Sequence, residues 1–388
     1  MLSELKKIIF LFSLLLVSSH LSAEKNVRIG LLSLDKPLSL TLSICSGQYN
    51  MEAGGQSFTL YELDNILIVK AGEKILVSIP GYRTVLADSM VLEPGAGDNY
   101  FSLRNNLRSD IKREYQGKLI VKPDITSLLA INDVGTGDYL MGVVQAEAGF
   151  KGGVEYFKTQ ALLARTYLYM HYYKHARDGF KLCDDTHCQV YHGRSQLHII
   201  REAVKQTADM VLVNADSVLV FTPFHSNCGG QTEAPENVWL TAMPHISEVF
   251  DPYCAFSRNA QWTREIKTRD WINYLAAHGY KHINNSELEF EQLSRKRNYT
   301  AGAFSYPLTR IREEWGLKSA FFSLKPGEDM VRLEGRGYGH GVGLCQEGAK
   351  VMAERGFKMK EIIGFYFRNL LIIDIDDVRP AAVINSPF

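Results

Sequence analysis

From residue 24 to about 98, apolar residues come in short runs, LLSL, SLTLSI, NILIVKA and KILVSIPG, separated by SGQ, AGGQ and AGEK. Short runs bounded by turn formers predict strands, so residues 24–98 are expected to form a small all-β domain. The turn-rich EPGAGDN, Glu93 to Asn99, is the expected boundary. Beyond it GKLIVKP and SLLAINDV predict two more strands, leading into a larger mixed domain over residues 99–388. The period changes at Val154. From there to Ala176 the chain has no Pro or Gly, and Phe157, Ala161, Ala164, Leu168 and Tyr172 recur at spacings of three and four, which predicts a helix with one buried face. A second helix is expected over Gln196 to Met210 and a hairpin in VLVNADSVLVFTPF. A strand leading to a helix is expected in SRNAQWTREIKTRDWINYLAAHG, and a helix over Glu347 to Glu354 stopped at Gly356. The predicted fold class is α+β.

The first residues place Lys6 and Lys7 before an apolar run from Ile8 to Val17, with small residues ending at Ala23. This is the layout of a signal peptide over residues 1–23, and the run is about half of the roughly 20 residues that a spanning helix needs. A retained anchor is the alternative. An exported protein is expected, with no stable membrane span after cleavage. Lys+Arg 43 balances Asp+Glu 43, so no basic excess exists to hold nucleic acid. Six cysteines are too few for a disulfide scaffold in a chain of 388 residues.

Candidate chemistry lies in four further stretches. In YLMGVVQAEAGF, Glu147 stands among Val143, Val144, Ala146, Ala148 and Phe150. Apolar surroundings raise a carboxyl pKa and suit it to general acid work, whereas a solvated glutamate at the start of a helix is the plain alternative. Gln160, Arg165 and Thr166 interrupt the apolar stripe of the long helix. CDDTHCQVYHG brings Cys183, His187 and Cys188 within six residues, donors that suit zinc, with a water or a distant His175 or His225 completing the set. A Cys183–Cys188 disulfide is the rival. In FHSNCGGQTEAPENVW and the later DPYC, Cys228 and Cys254 are close enough in sequence to pair, and no G-x-S-x-G elbow is present. Finally, GRGYGHGVGLCQEGA alternates glycine at 335, 337, 339, 341 and 343. Such a segment is built for close approach of another chain or a bulky ligand, as a strand with one bare side or as a loop of positive φ. It misses both phosphate-cradle patterns, with His340 and Ala349 where glycine and lysine are required.

Taken together, YLMGVVQAEA, EYFKTQALLARTY, DDTHCQVYHG, FHSNCGGQTEAPENVW and GRGYGHGVGLCQEGAKVMAERG with EIIGFYFRN resemble the stage II sporulation protein D and amidase-enhancer family, over about residues 100 to 375. The resemblance implies a lytic transglycosylase acting on peptidoglycan glycan strands, with Glu147 as catalytic acid and base and Arg165 tied to activity. It implies substrate contacts from Gln160, Thr166, Gln189, Tyr191, Ser226, Gly230, His340 and Gln346, and zinc on Cys183, His187 and Cys188. A cell-wall amidase is an implied partner, and a non-catalytic enhancer of such an amidase is the alternative function; a zinc hydrolase is a third. The chain departs from the family pattern at Ala148 and Gly149, where proline is common, and at Cys228 and Cys345, where other small residues are usual. Residues 24–98 lie outside the resemblance.

Overall fold

Alternation decides the first third of the molecule. In the strand Ser39–Ser46 the residues Leu40, Leu42 and Ile44 point inward and their neighbours outward, the pleat period that the sequence displays. In the computed structural model, which describes residues 26–108, 112–281 and 284–379, such strands build two sheets. The proposed signal peptide lies outside the described residues. The seven-stranded sheet runs, in spatial order, Leu182–Cys183, Asn26–Leu31, Leu128–Gly135, Lys118–Pro123, Met90–Pro94, Gln48–Ala53 and Gln56–Tyr61. The six-stranded sheet runs Lys112–Gln116, Tyr100–Asn105, Ser39–Ser46, Asn65–Ala71, Lys74–Ser78 and Val85–Ala87. Their inner faces share one core, where Tyr49 and Phe101 meet edge to face at 5.8 Å.

These pairings correct the boundary expected at residue 98. Leu42 pairs with Leu103, Val91 with Ile120 and Ile29 with Asn132, so strands on both sides of 98 belong to the same sheets. Glu93–Asn99 is the crossover from one sheet to the other. The buried Asn99 side chain fastens it, accepting from Gln48 N and donating to the carbonyls of Gly95 and Gly97. Turn formers mark a chain reversal equally well inside a domain and between domains, which is why they misplace the boundary.

The helices are α1 (Thr136–Ala148), α2 (Val154–Met170), α3 (His198–Gln206), α4 (Pro235–Trp239), α5 (Thr268–Ala277), α6 (Leu308–Trp315), α7 (Gln346–Glu354) and α8 (Met359–Tyr366). The face expected for α2 is buried, with Phe157, Ala161, Ala164 and Leu168 all in the core, but Gln160, Leu162, Leu163, Arg165 and Thr166 are buried too, so the helix is enclosed on nearly every side rather than on one. The helix stops six residues short of Ala176, at His171, where the chain turns back. Helix α3 is shorter than expected, and Met210–Val213 pairs with Leu371–Asp374 as well as bridging to Leu219. Gln261–Lys267 followed by α5 matches the expected strand and helix. Together with Phe322–Lys325, Met330–Arg336 and α6 they enclose a second core around Trp271. No helix among the described residues is long and apolar enough to cross a membrane.

Candidate functional site

Glu147 sits in the last turn of α1, a helix whose Gly137 and Gly142 conceal it in the sequence. Gly142 is required there by space: a Cβ would stand 2.5 Å from the Tyr191 ring and 2.1 Å from Gly193 O. The Glu147 carboxylate is half-buried, and its Oε1 accepts the backbone N–H of Val190 at 2.8 Å. Burial raises its pKa above the ordinary carboxylate value, and the Val190 hydrogen bond pulls partly the other way. Its place at the carbonyl end of a helix also disfavours the anion. Of its sequence neighbours, Val143 and Val144 lie one turn back on the same side of α1 and are buried, whereas Phe150 is 70% exposed and adds little. The remaining packing comes from the 188–191 segment, from α2 and from α7.

Gln346, the first residue of α7, donates through Nε2 to the Glu147 carbonyl at 3.1 Å and to Gln160 Oε1 at 3.3 Å. Three helices therefore meet at Glu147, and the expected residues Gln160 and Gln346 are both there. The Gln160 amide nitrogen, buried, has no protein partner. Next to them lies a row of aromatic rings that periodicity did not single out. Tyr167 is 6.4 Å from Phe221, Phe221 is 5.6 Å from Trp239, and Trp239 is 5.1 Å from His340 (ring centroids). Tyr167, Phe221, Trp239 and His340 are each half-buried. The His340 ring is fixed by Phe224 O, 2.9 Å from Nε2, and by Val342 N, which donates to Nδ1 at 3.0 Å. Burial and the nearby Arg312 lower its pKa to about 4, so it is neutral at physiological pH.

Gly335 lies near the end of a strand, where a Cβ would meet the Trp262 ring, and the other four alternating glycines, 337, 339, 341 and 343, form a loop of positive φ. At Gly337 (φ +79°) a Cβ would stand 2.5 Å from Asn227 O, and at Gly343 (φ +73°) 2.2 Å from Pro223 O. The bare backbone is pressed against another segment of the same chain, residues 223–229, with short parallel pairing of Phe224 and His225 to Leu344 and Cys345. This clamp sets the start of α7 and hence Gln346.

Other expected site residues are placed elsewhere. Arg165 is 3% exposed, and its guanidinium donates to the carbonyls of Val204, Thr207 and Met210 at the end of α3. It lines a cavity with Thr136, Asp138, Arg201, Lys205 and Asp209, at the opposite end of α1 from Glu147. The Thr166 hydroxyl donates to Leu162 O and accepts from Leu212 N, tying α2 to the strand Met210–Val213. Tyr191 is fully buried and donates to Asn132 Oδ1, and Gln189 accepts from Tyr139 Oη. Ser226 accepts from Asn259 Nδ2 and, through its carbonyl, from Glu347 N; the Gly230 carbonyl accepts from Asp251 N. These residues frame the site from behind.

Cys183, His187 and Cys188 converge as expected, and His175 joins them, the four donor atoms lying within 4.8 Å of one another. His187 Nδ1 is 3.6 Å from Cys183 Sγ and 3.7 Å from Cys188 Sγ, and His175 Nε2 is 3.4 Å from Cys188 Sγ. Asp178 Oδ2, 3.0 Å from His175 Nδ1, orients that ring. Two thiolates and two imidazoles at these spacings fit tetrahedral zinc with no open position. Cys183 lies on the strand paired with Asn26–Leu31, and two residues beyond Cys188 is Val190, the donor to Glu147.

Residues 124–214, which include Glu147, Arg165 and the Cys183–Cys188 set, match the family model described as stage II sporulation protein, SpoIID. An uncharacterized protein of Brachyspira hyodysenteriae is 29% identical over 69% of this chain and 74% of its own length. Stage II sporulation protein D of Bacillus subtilis is 28% identical over 65% of this chain and 78% of its own. The amidase enhancer of Bacillus subtilis is 26% identical over 59% of this chain and 39% of its own. The chain carries a SpoIID-family domain and is homologous to stage II sporulation protein D and to the amidase enhancer.

Proposed function

We propose that this chain is an exported lytic transglycosylase that cleaves the bond between N-acetylmuramic acid and N-acetylglucosamine in peptidoglycan glycan strands. The observation that carries the reading is Glu147: a half-buried carboxyl, its pKa raised by burial, with one oxygen held by Val190 N and a row of half-buried rings beside it. Rings of this kind suit the apolar faces of sugars, as in ligand sites lined by aromatic groups and a few fixed polar ones. Protonated Glu147 gives its proton to the bridging oxygen as the C1–O bond breaks. The resulting carboxylate then takes the proton of the muramic 6-hydroxyl as O6 bonds to C1, leaving a 1,6-anhydro end. No water enters, and one acid serves both steps.

A hydrolase would need a partner carboxylate facing Glu147. Asp184, Asp185 and Asp251, the aspartates within the other motifs, are engaged elsewhere: Asp184 accepts from Leu32 N and Arg113, Asp185 from Thr186, and Asp251 from Tyr253 N and Tyr366. Gln346 and Gln160 would hold the end of α1, and hence Glu147, in register with the substrate. Cys183, His187, Cys188 and His175 would hold zinc as a closed structural ion, fixing the loop that ends at Val190. The test is to incubate the mature chain with intact and peptide-stripped glycan and identify the new sugar ends by mass spectrometry. Anhydro ends are expected; reducing ends would indicate a hydrolase. The homology to an amidase enhancer favours a second reading, in which the chain binds the wall and stimulates an amidase. That reading expects faster amidase turnover and no new glycan ends.

A further inference from the structure

At the start of α7, next to the residue that reaches Glu147, three cysteines from three separate stretches of chain meet one aspartate. Cys228 follows the strand that pairs with the glycine loop, Cys254 ends the DPYC turn, and Cys345 is the N-cap of α7. Their sulfurs and an Asp251 oxygen lie within 4.8 Å of one another, and all four residues are buried. We infer that Cys228, Asp251, Cys254 and Cys345 form a second metal site, which takes a single zinc ion.

The spacing is that of one ion. Tetrahedral zinc with Zn–S bonds of about 2.3 Å sets its sulfurs roughly 3.8 Å apart. Cys228 Sγ is 3.3 Å from Cys254 Sγ and 3.2 Å from Asp251 Oδ2, so shifts of a few tenths of an ångström centre an ion. An iron–sulfur cubane would spread its ligands much further.

The surroundings are arranged for thiolates. Cys345 Sγ accepts N–H groups from Cys228 at 3.3 Å and from Gly348 at 3.4 Å, the latter in the first turn of α7, where the helix dipole favours negative charge. Asp251 is held on both oxygens, by Tyr253 N at 2.8 Å on Oδ1 and by the Tyr366 hydroxyl at 3.0 Å on Oδ2, the outer partners that orient a ligating carboxylate. Gly348 makes room for them: a Cβ there would be 2.3 Å from both Asp251 Oδ2 and the Tyr366 oxygen. As the ion enters, three thiol protons leave to solvent, and the site keeps two net negative charges. Buried Arg295, which donates to Cys228 O at 2.8 Å, lies beside them and shares its charge with Glu233.

A Cys228–Cys254 disulfide, open to a sequence reading, uses only two of the four donors. It leaves Cys345 a solitary buried thiol with two N–H groups aimed at it. An ion uses all four, and it joins the 223–229 segment, the 251–254 turn and α7 at the residue preceding Gln346.

The experiment begins with Cys183→Ser/Cys188→Ser, which removes the other metal set and leaves this one intact. The mature variant, purified without chelator, is expected to retain about one equivalent of zinc, and wild type about two. Cobalt exchanged into the variant should show thiolate charge-transfer absorption that falls when Cys345→Ser is added. Crystals of wild type measured at the zinc edge provide a readout independent of any variant, with anomalous density expected between Cys228 and Cys345. A variant that is folded but zinc-free, wild-type crystals without density there, or a Cys228–Cys254 disulfide in peptide maps of the purified protein would each overturn the assignment.

Discussion

Replacing Arg165 with alanine tests whether this residue serves the fold or the chemistry. Its guanidinium reaches the carbonyls of Val204 at 3.3 Å and Met210 at 3.3 Å, the Thr207 carbonyl more closely, and the Thr207 hydroxyl at 3.4 Å. Val204 O also accepts from the Thr207 hydroxyl and Thr207 O from Met210 N, so this buried cation adds a charged donor to acceptors at and just beyond the end of α3. Burial lowers its pKa to about 10, which still leaves it charged at neutral pH. Truncation removes three charge-assisted hydrogen bonds at about 1.5–3 kcal/mol each, while the cost of burying a cation is recovered in part. The two longer contacts belong at the low end of that range, and the expected net loss is about 3 kcal/mol. At roughly 2–4 °C per kcal/mol, the midpoint of thermal unfolding should fall by about 6–12 °C. Arg165→Lys, with one compact ammonium in place of a fork, should lose about half as much. Glu147 lies roughly 14 Å along α1 from Asp138, which lines the Arg165 cavity, so turnover per folded molecule should change by less than about threefold. Urea unfolding followed by fluorescence, with anhydro-end formation measured well below the midpoint, separates the two effects. Unchanged stability with collapsed turnover would refute this reasoning and return Arg165 to the chemistry.

Glu147→Gln should abolish glycan cleavage while preserving the circular dichroism spectrum and wall binding; residual anhydro-end formation above one per cent or so of wild type would remove the acid from its role. The folded-state pKa of Glu147 is raised, so its neutral form is the one the fold prefers. Any stability it contributes is complete below the unfolded value near 4.3 and is lost as pH rises through the folded value, so Glu147→Gln should gain on wild type with rising pH in denaturation midpoints. Cleavage should likewise decline as pH rises through that value, and a rate that climbs across the same window contradicts a protonated acid. Gly343→Ala forces a side chain into φ +73° and against Pro223 O, and should cost at least about 3 kcal/mol in chemical denaturation. His175→Ala should release zinc from the Cys183 set as readily as Cys183→Ser does, measured by elemental content after dialysis.

Much of this could be read along the chain where one period governs. The pleat of Ser39–Ser46 is written locally, because one face meets the core, and so is one stripe of α2, although the burial of its other sides depends on elements far along the chain. Helix α1 was hidden because Gly137 and Gly142 lower its propensity, and Gly142 answers to Tyr191, a residue far along the chain. Glu147 stands out for its apolar neighbours, of which Val143 and Val144 do lie one turn back on its helix, yet Val190, Gln160 and Gln346 close on it from stretches that no local window contains. His175 joins the cysteines because the chain turns back after Met170, and the Tyr167–Trp239 row exists only once α2 packs beside residues 221–239. The glycine loop left strand and loop equally open, since both conformations tolerate missing side chains. The positive φ angles and the backbone pressed against residues 223–229 decide for the loop.

The strand Asn26–Leu31 sits between Leu128–Gly135 and Leu182–Cys183 in its sheet. This strand thus waits for partners made far later in the chain, which makes assembly slow and leaves an unpaired edge in the meantime. The β-rich region is consequently no detachable accessory. Removing it would withdraw the support beneath Cys183 and, through the same loop, beneath Val190, so truncations meant to isolate a minimal catalytic piece should yield insoluble or inert protein.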